Sequence, residues 1–313
     1  NDGRKMSKSL GNFTDPNVLM DKFSADSLRF LLLSSPLLNG EDFALQDKEV
    51  GDVARKLGMV WNMYDFFTMY ATVDGWEFTD AMRDAEGLPT DPTNQTSTTN
   101  TTDNNNTATD STNNTDALNN PLDQWIISRV HQLTQTIETS MDAYDIPSAV
   151  KPILAFLDDA SNWYVRRSRR RFWKSEDDTD KNNAYRTLHY VLVRYSQIVA
   201  PFVPFMAEEL YRNLTGGASV HLTNWPKTGH INELVLQNMA QTRELIEQGL
   251  AARMQKSDTE QQIKVRQPLG LLEYSGQKLD AFYETIIAEE VNVKEVKYNA
   301  NLNANSNANA EAN

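Results

Sequence analysis

Residues 122–144 read LDQWIISRVHQLTQTIETSMDAY, and their spacing decides the fold class. Leu122, Ile126, Val130, Leu133, Ile137, Met141 and Tyr144 recur at intervals of three and four. On a helix that period draws one apolar stripe with polar residues around it. The same period returns upstream. Asp15-Pro16 is a cap and a first-turn proline ahead of Val18, Leu19 and Phe23, a helix start. Asp26 can cap a second helix, Leu28 to Leu33, which Pro36 stops, and Arg55 to Tyr70 carries Leu57, Val60, Trp61, Tyr64 and Phe67 on one stripe. Downstream, Ser148 to Trp173 and Ala184 to Val199 read as helices. Pro204 opens another over Phe205 to Leu214, and Gly216-Gly217 closes it. Beyond lie a short extended stretch near Val220-His221-Leu222 and a helix over Leu234 to Met254. A mixed unit follows: Ile263-Lys264-Val265 and Gly270 to Tyr274 extended, Leu279 to Glu290 helical, Val291 to Tyr298 extended. The chain is expected to be mainly α, a helical bundle followed by a small α/β unit.

The 313 residues suffice for about two ordinary domains. A net charge of −13 excludes a uniformly basic nucleic-acid coat, although a local basic patch stays possible. The absence of cysteine excludes disulfides and thiolate metal sites and favours the cytoplasm. His131, His189, His221 and His230 are too scattered for a paired-histidine zinc site. No apolar run approaches the ~20 residues that span a membrane. Residue 1 is Asn and opens in mid-motif, which reads as a portion of something longer. From about Thr90 to Asn120 the chain is nearly all Asn, Thr, Ser and Asp, and from Asn299 to Asn313 Asn alternates with Ala. Neither segment has apolar surface to offset an ordering cost of ~1–2 kcal/mol per residue, so both are expected to be disordered. The N-x-[ST] triplets in the first, such as Asn94-Gln95-Thr96, could suggest a glycoprotein, but Asn/Thr-rich tracts produce them by chance.

Three stretches carry candidate chemistry. In Gly3-Arg4-Lys5-Met6-Ser7-Lys8-Ser9-Leu10-Gly11-Asn12, two lysines three apart stand among serines and between glycines. Such a loop can fold over a polyphosphate and bring ammonium charge to growing negative charge; it could equally be a solvated basic terminus. In Asn162 to Lys174, at 100° per residue, Leu157, Ser161, Tyr164, Ser168 and Phe172 fall along the side expected to be buried. Arg166, Arg169 and Arg170 fall opposite, with Trp173 among them, while Arg167 and Arg171 lie nearer the buried side. Six positive charges without an acid suit a phosphate backbone. The competing reading pairs these arginines with Asp158, Asp159, Glu176, Asp177 and Asp178. Lys264 and Arg266 would share one face of a strand and could reach a nucleic acid, or belong to an ordinary half-buried strand.

In this order the segments resemble the C-terminal part of the isoleucyl-tRNA synthetases, class I aminoacyl-tRNA synthetases. Lys5-Met6-Ser7-Lys8-Ser9 is similar to the KMSKS signature of the class, and Asn162 to Trp173 resembles the isoleucyl anticodon-domain signature. Ala200-Pro201-Phe202-Val203-Pro204-Phe205-Met206-Ala207-Glu208-Glu209, Ser219-Val220-His221-Leu222 with Trp225-Pro226, and Lys264 to Leu269 agree. Within the class the valyl and leucyl enzymes share KMSKS and the helical domain, and a non-catalytic tRNA-binding module is the rival outside it. The resemblance implies an intact enzyme that activates isoleucine with ATP-Mg²⁺ and charges tRNA(Ile). Lys8, with Lys5 assisting, would be catalytic, and Lys5, Met6, Ser7, Lys8 and Ser9 would hold ATP. Arg166, Arg169, Arg170, Trp173, Lys264 and Arg266 would meet tRNA. The chain has no HIGH-type motif, so the isoleucine pocket, and any zinc, would lie in other parts of the enzyme, with no metal on this chain. A cytoplasmic monomer with no membrane contact is expected. The division implied is 1–14 for the loop ending the catalytic domain and 15–215 for the helical anticodon-binding domain. Residues 216–298 would form the C-terminal helix and α/β unit, and 299–313 the tail.

Overall fold

Caps written into the sequence open the first helices. In α1 (Pro16–Phe23) the Asp15 side chain accepts from Asn17 N–H at 2.8 Å. Helix α2 (Ala25–Ser34) starts differently from expectation, because its cap is Ser24, whose hydroxyl accepts from Ser27 N–H at 3.2 Å. Asp26 is buried and turns away to cap another helix. The computed structural model describes residues 13–79, 82, 120–173, 178–254 and 264–302. These belong to two units, 1–231 and 232–313. Lys5, Met6, Ser7, Lys8 and Ser9 lie outside the described residues, as do most of the Asn/Thr-rich insert and residues 303–313.

The expected helix over Arg55 to Tyr70 is two helices, α3 (Asp47–Leu57) and α4 (Met59–Asp74), meeting at Gly58. A Cβ there would crowd the Ala54 and Arg55 carbonyl oxygens at 3.3 Å. The buried line runs Val50, Val53, Leu57, Val60, Met63, Phe67, Ala71, with Trp61 and Tyr64 only half-buried. Helix α5 (Pro121–Asp142) is the amphipathic helix expected, capped by the Asn120 side chain on Leu122 N–H at 3.0 Å. It ends before Tyr144, which sits at φ +57° and is exposed, as is Met141.

A continuous helical rod follows: α6 (Ile146–Asp158), a π-helical segment (Asp159–Val165) and α7 (Arg166–Trp173). Helix α8 (Asp178–Val199) is buried on nearly all sides from Leu188 to Val199 and lies against α4, α5, α7 and α9 (Pro204–Thr215). A helix buried on nearly all sides belongs at the centre of a bundle. Gly216, at φ +65°, ends α9 where a side chain would be strained. Val220–Leu222 is a 3-10 turn, not the expected extended stretch, because the Ser219 hydroxyl accepts from His221 N–H and Glu208 holds Val220 N–H at 2.9 Å. Residues 216–231 fall within the first unit.

The second unit comprises α10 (Glu233–Met254), β1 (Leu269–Tyr274), α11 (Ala281–Val291) and β2 (Val293–Tyr298). The strands pair in parallel, Leu269 with Val293 through Tyr274 with Tyr298, joined by α11. Residues 299–302 of the expected tail are placed, and Asn299 N–H donates to Tyr274 O at 2.8 Å. Among the described residues no helix is long and apolar enough to cross a membrane, and no group of His, Cys, Asp or Glu could hold a metal ion.

Candidate nucleic-acid interface

The rod Ile146–Trp173 starts with Asp145 accepting from Ser148 N–H at 3.1 Å. Its buried side reads Phe156, Ala160, Tyr164, Ser168, Phe172, four successive steps of four residues. In a regular α-helix each such step overshoots by about 40°, so Phe172 would end about 160° from Phe156. The π segment seats an extra residue in the turn and takes back about 100° of that drift. Hence Ala160 replaces Ser161 on the buried line, while Leu157, Tyr164, Ser168 and Phe172 are buried as expected. Phe172 is wedged between Phe66 of α4 and Tyr185 of α8, each ring centroid 4.9 Å away.

With that side fixed, Arg166, Arg169 and Arg170 stand exposed on the other, and Trp173 is 56% exposed. Positions 162, 166, 169, 170 and 173 form one ridge, since residues three and four apart are neighbours on a helix. The Arg166 guanidinium lies 5.7 Å from the Trp163 ring, and its Nε donates to Asn162 O at 2.7 Å. Of the acids proposed as partners, Asp159 binds Arg129 at 2.8 Å and Asp158 accepts from the Asn162 amide at 2.6 Å. Among the described residues Arg169 and Arg170 meet no acid; Glu176 and Asp177 lie outside them.

Arg171 does the opposite. Its Nη1 and Nη2 donate to the two oxygens of fully buried Asp123, both at 2.7 Å, and its Nε and Nη2 reach Asp180 at 2.8 and 2.7 Å. Tyr164 O–H donates to the same Asp123 oxygen at 2.7 Å. Burial alone would lower the Arg171 pKa, but the paired carboxylates outweigh it and hold the guanidinium firmly charged. Burial, then the Asp123 charge, pushes the Tyr164 phenol well above its usual value. Asp123 and Asp180 were not among the acids expected. The signal for Asp123 was an acid between Leu122 and Ile126, on the apolar stripe of α5.

Lys264 and Arg266 are exposed, but they do not share a strand. They lie in a turn, with Gln267 N–H donating to Lys264 O at 2.9 Å, and β1 begins only at Leu269. Pro268 has no N–H for a ladder. Side chains take the carbonyls a ladder would use: Arg253 donates to Gln267 O at 3.0 Å and Asn292 to Val265 O at 2.7 Å. Arg253, 2% exposed on α10, also reaches Asn292 O at 2.7 Å, and nothing in its sequence setting marked it.

A family profile described as the anticodon-binding domain of tRNA ligases matches residues 123–269, and the profile of class I tRNA synthetases (I, L, M and V) matches residues 1–44. The isoleucine–tRNA ligase of Treponema denticola is 34% identical over 312 residues, covering 95% of this chain and 26% of the relative. The chain is similar to one portion of the isoleucine–tRNA ligases. It corresponds to their C-terminal portion, a class I catalytic tail followed by the anticodon-binding domain. The Chlamydia trachomatis ligase is 35% identical over 311 residues, and isoleucine–tRNA ligase 2 of Bacillus anthracis 37% over 304. The chain spans about a quarter of the length of these relatives (26%, 26% and 25%). Among solved structures, the Agrobacterium radiobacter K84 agnB2 LeuRS–tRNA–LeuAMS complex aligns at TM-score 0.45 and 20% identity, over 75% of this chain and 23% of that one.

Proposed function

We propose that the whole protein activates isoleucine with ATP-Mg²⁺ and transfers it to tRNA(Ile), and that this portion supplies the phosphate loop and the anticodon-arm contact. Lys5-Met6-Ser7-Lys8-Ser9 would hold the ATP phosphates, with Lys8 stabilising the charge that grows as pyrophosphate leaves and Lys5 assisting. Arg166, Arg169 and Arg170 would meet tRNA phosphates, with Trp173 offering a face for an unpaired base. Lys264 and Arg266 would add a second contact from their turn. One observation carries the tRNA reading: a single arginine run is split by the fold, with Arg171 consumed by buried Asp123 while Arg166, Arg169 and Arg170 face outward.

The test is a salt titration of tRNA(Ile) binding to single alanine variants. Each of Arg166→Ala, Arg169→Ala and Arg170→Ala should weaken binding and flatten its salt dependence by up to about 0.9 for each phosphate no longer neutralised, less beside unpaired nucleotides. Three slopes equal to wild type would remove the ridge from the interface and leave Lys264 and Arg266 to be tested in the same way.

A further inference from the structure

Helices α1 to α3 have a small core of their own, in which Leu19, Leu28 and Val50 are buried and Met20, Phe23, Leu31, Leu32 and Leu45 pack on them. They join the bundle through α2, which lies against α6 and the start of α9, and through α3, which lies against α4 and α6. At that seam sits Asp26, 5% exposed. Its Oδ2 accepts from Met206 N–H at 2.7 Å and its Oδ1 from Phe205 N–H at 3.4 Å. These are first-turn amides of α9, which have no partner within their own helix. The residue at the N-cap position, Val203, has no side-chain acceptor to offer. One turn further along α2, Arg29 Nη2 donates to Pro201 O at 3.0 Å. The bend between α8 and α9 is thus gripped at both ends, a carbonyl by a cation and two amides by a carboxylate. Asp26 and Arg29 lie in the stretch matching the class I synthetase profile, and their partners in the stretch matching the anticodon-binding domain.

We propose that Asp26 is a positioning residue: it caps α9 from another segment of the chain and so holds the catalytic tail at one angle to the anticodon-binding bundle. The polar grip adds direction to the packing of α2 and α3 on the bundle, because hydrogen bonds fix orientation whereas apolar burial does not. The consequence rests on the tRNA reading above. Helix α6, against which α2 packs, is one half of the rod whose other half carries the arginine ridge. A tRNA seated on that ridge and the tail of the catalytic domain then share one frame.

The absence of cysteine makes the seam measurable. Nitroxides on Asp21→Cys and Gln135→Cys span it, and a second pair on Gln135→Cys and Arg212→Cys lies within the bundle. In the chain 1–313 the seam pair should give a narrow distance distribution. Asp26→Ala should about double its width while the bundle pair stays unchanged, and Asp26→Asn, which keeps an acceptor for Met206 N–H, should restore the narrow distribution. A seam pair as narrow in Asp26→Ala as in wild type overturns the proposal, and so does equal widening of both pairs. Hydrogen exchange in the wild type gives a second reading that needs no variant to fold. Met206 N–H should exchange as slowly as the amides of α2, and exchange at the rate of an uncapped first-turn amide overturns the proposal. None of these measurements uses tRNA, so their failure and failure of the tRNA reading are separate results.

Discussion

At the scale of single residues, position along one helix separates arginines of the same type. Arg171 and Asp123 are a buried pair whose oxygens and nitrogens are all matched, including by Tyr164 and Asp180. Removing one partner leaves the other charge buried, which costs about 3–5 kcal/mol, whereas truncating an exposed arginine changes stability by only about 0.5 kcal/mol or less. Arg171→Ala should therefore lower the unfolding free energy measured by urea titration by that larger amount and shift the midpoint down accordingly, and Arg169→Ala should leave both close to wild type. Equal midpoints for the two variants would mean that Asp123 finds another partner.

At the scale of an element, the π segment of the rod explains how one helix serves both the core and the ridge. Deleting Ser161 would leave Phe156, Ala160, Tyr164, Ser168 and Phe172 spaced by four, three, four and four, an interval that an ordinary α-helix accommodates with about 60° of residual drift. That variant should fold as a regular helix with Phe172 still facing Phe66. Deleting Ser128 from regular α5 rotates all that follows by about 100° and should be far more damaging. Circular dichroism melts of the two deletions test this, and a Ser161 deletion as destabilised as the Ser128 deletion would show that the π turn is required in itself. The same reasoning applies to the turn at Lys264 and Arg266, where Arg253 and Asn292 replace a strand ladder with side-chain donors.

At the scale of the first unit, two buried titratable groups act in opposite directions. His131 lies between Tyr190 O–H, 2.8 Å from Nε2, and His230 O, 2.9 Å from Nδ1. The carbonyl calls for an N–H at Nδ1, so Nε2 accepts from the tyrosine and the ring is neutral. Burial, with the nearby Arg194 and His230 charges, pushes its pKa below 6.5. A depressed histidine contributes stability that is complete above its unfolded value and lost as pH falls through the folded value. Unfolding of the chain should therefore shift to lower temperature between pH 7.5 and about pH 5, and His131→Gln should flatten that dependence. A His131→Gln slope equal to wild type would assign the loss to other groups. Asp26 is raised above 3.8 by burial, against its two amides and Arg29, so its contribution is greatest below that value and is lost as pH rises through the folded one. Asp26→Asn should thus gain on wild type as pH rises through that range.

Much of this architecture was legible in periodicity and punctuation. Asp15-Pro16, the stripe of α5, Pro204 and Gly216 name helix ends and buried sides because capping and amphipathic spacing are local physics. The exposed side of Arg166, Arg169 and Arg170 was readable for the same reason. Where the fold departs from those local signals, one cause recurs: a group was answered from far away in the chain. Asp26 looked like the cap of its own helix and became the cap of a helix 180 residues on, since Ser24 already held the nearer amide. Lys264 to Val265 looked extended and became a turn because Arg253 and Asn292 took its carbonyls. Sequence alone determined where most of the helices lie and the main apolar side of α5 and of the rod, because those depend on neighbours a turn away. Only the tertiary structure decided which charge meets which, because a buried polar group takes whatever partner the packed chain brings within hydrogen-bonding distance.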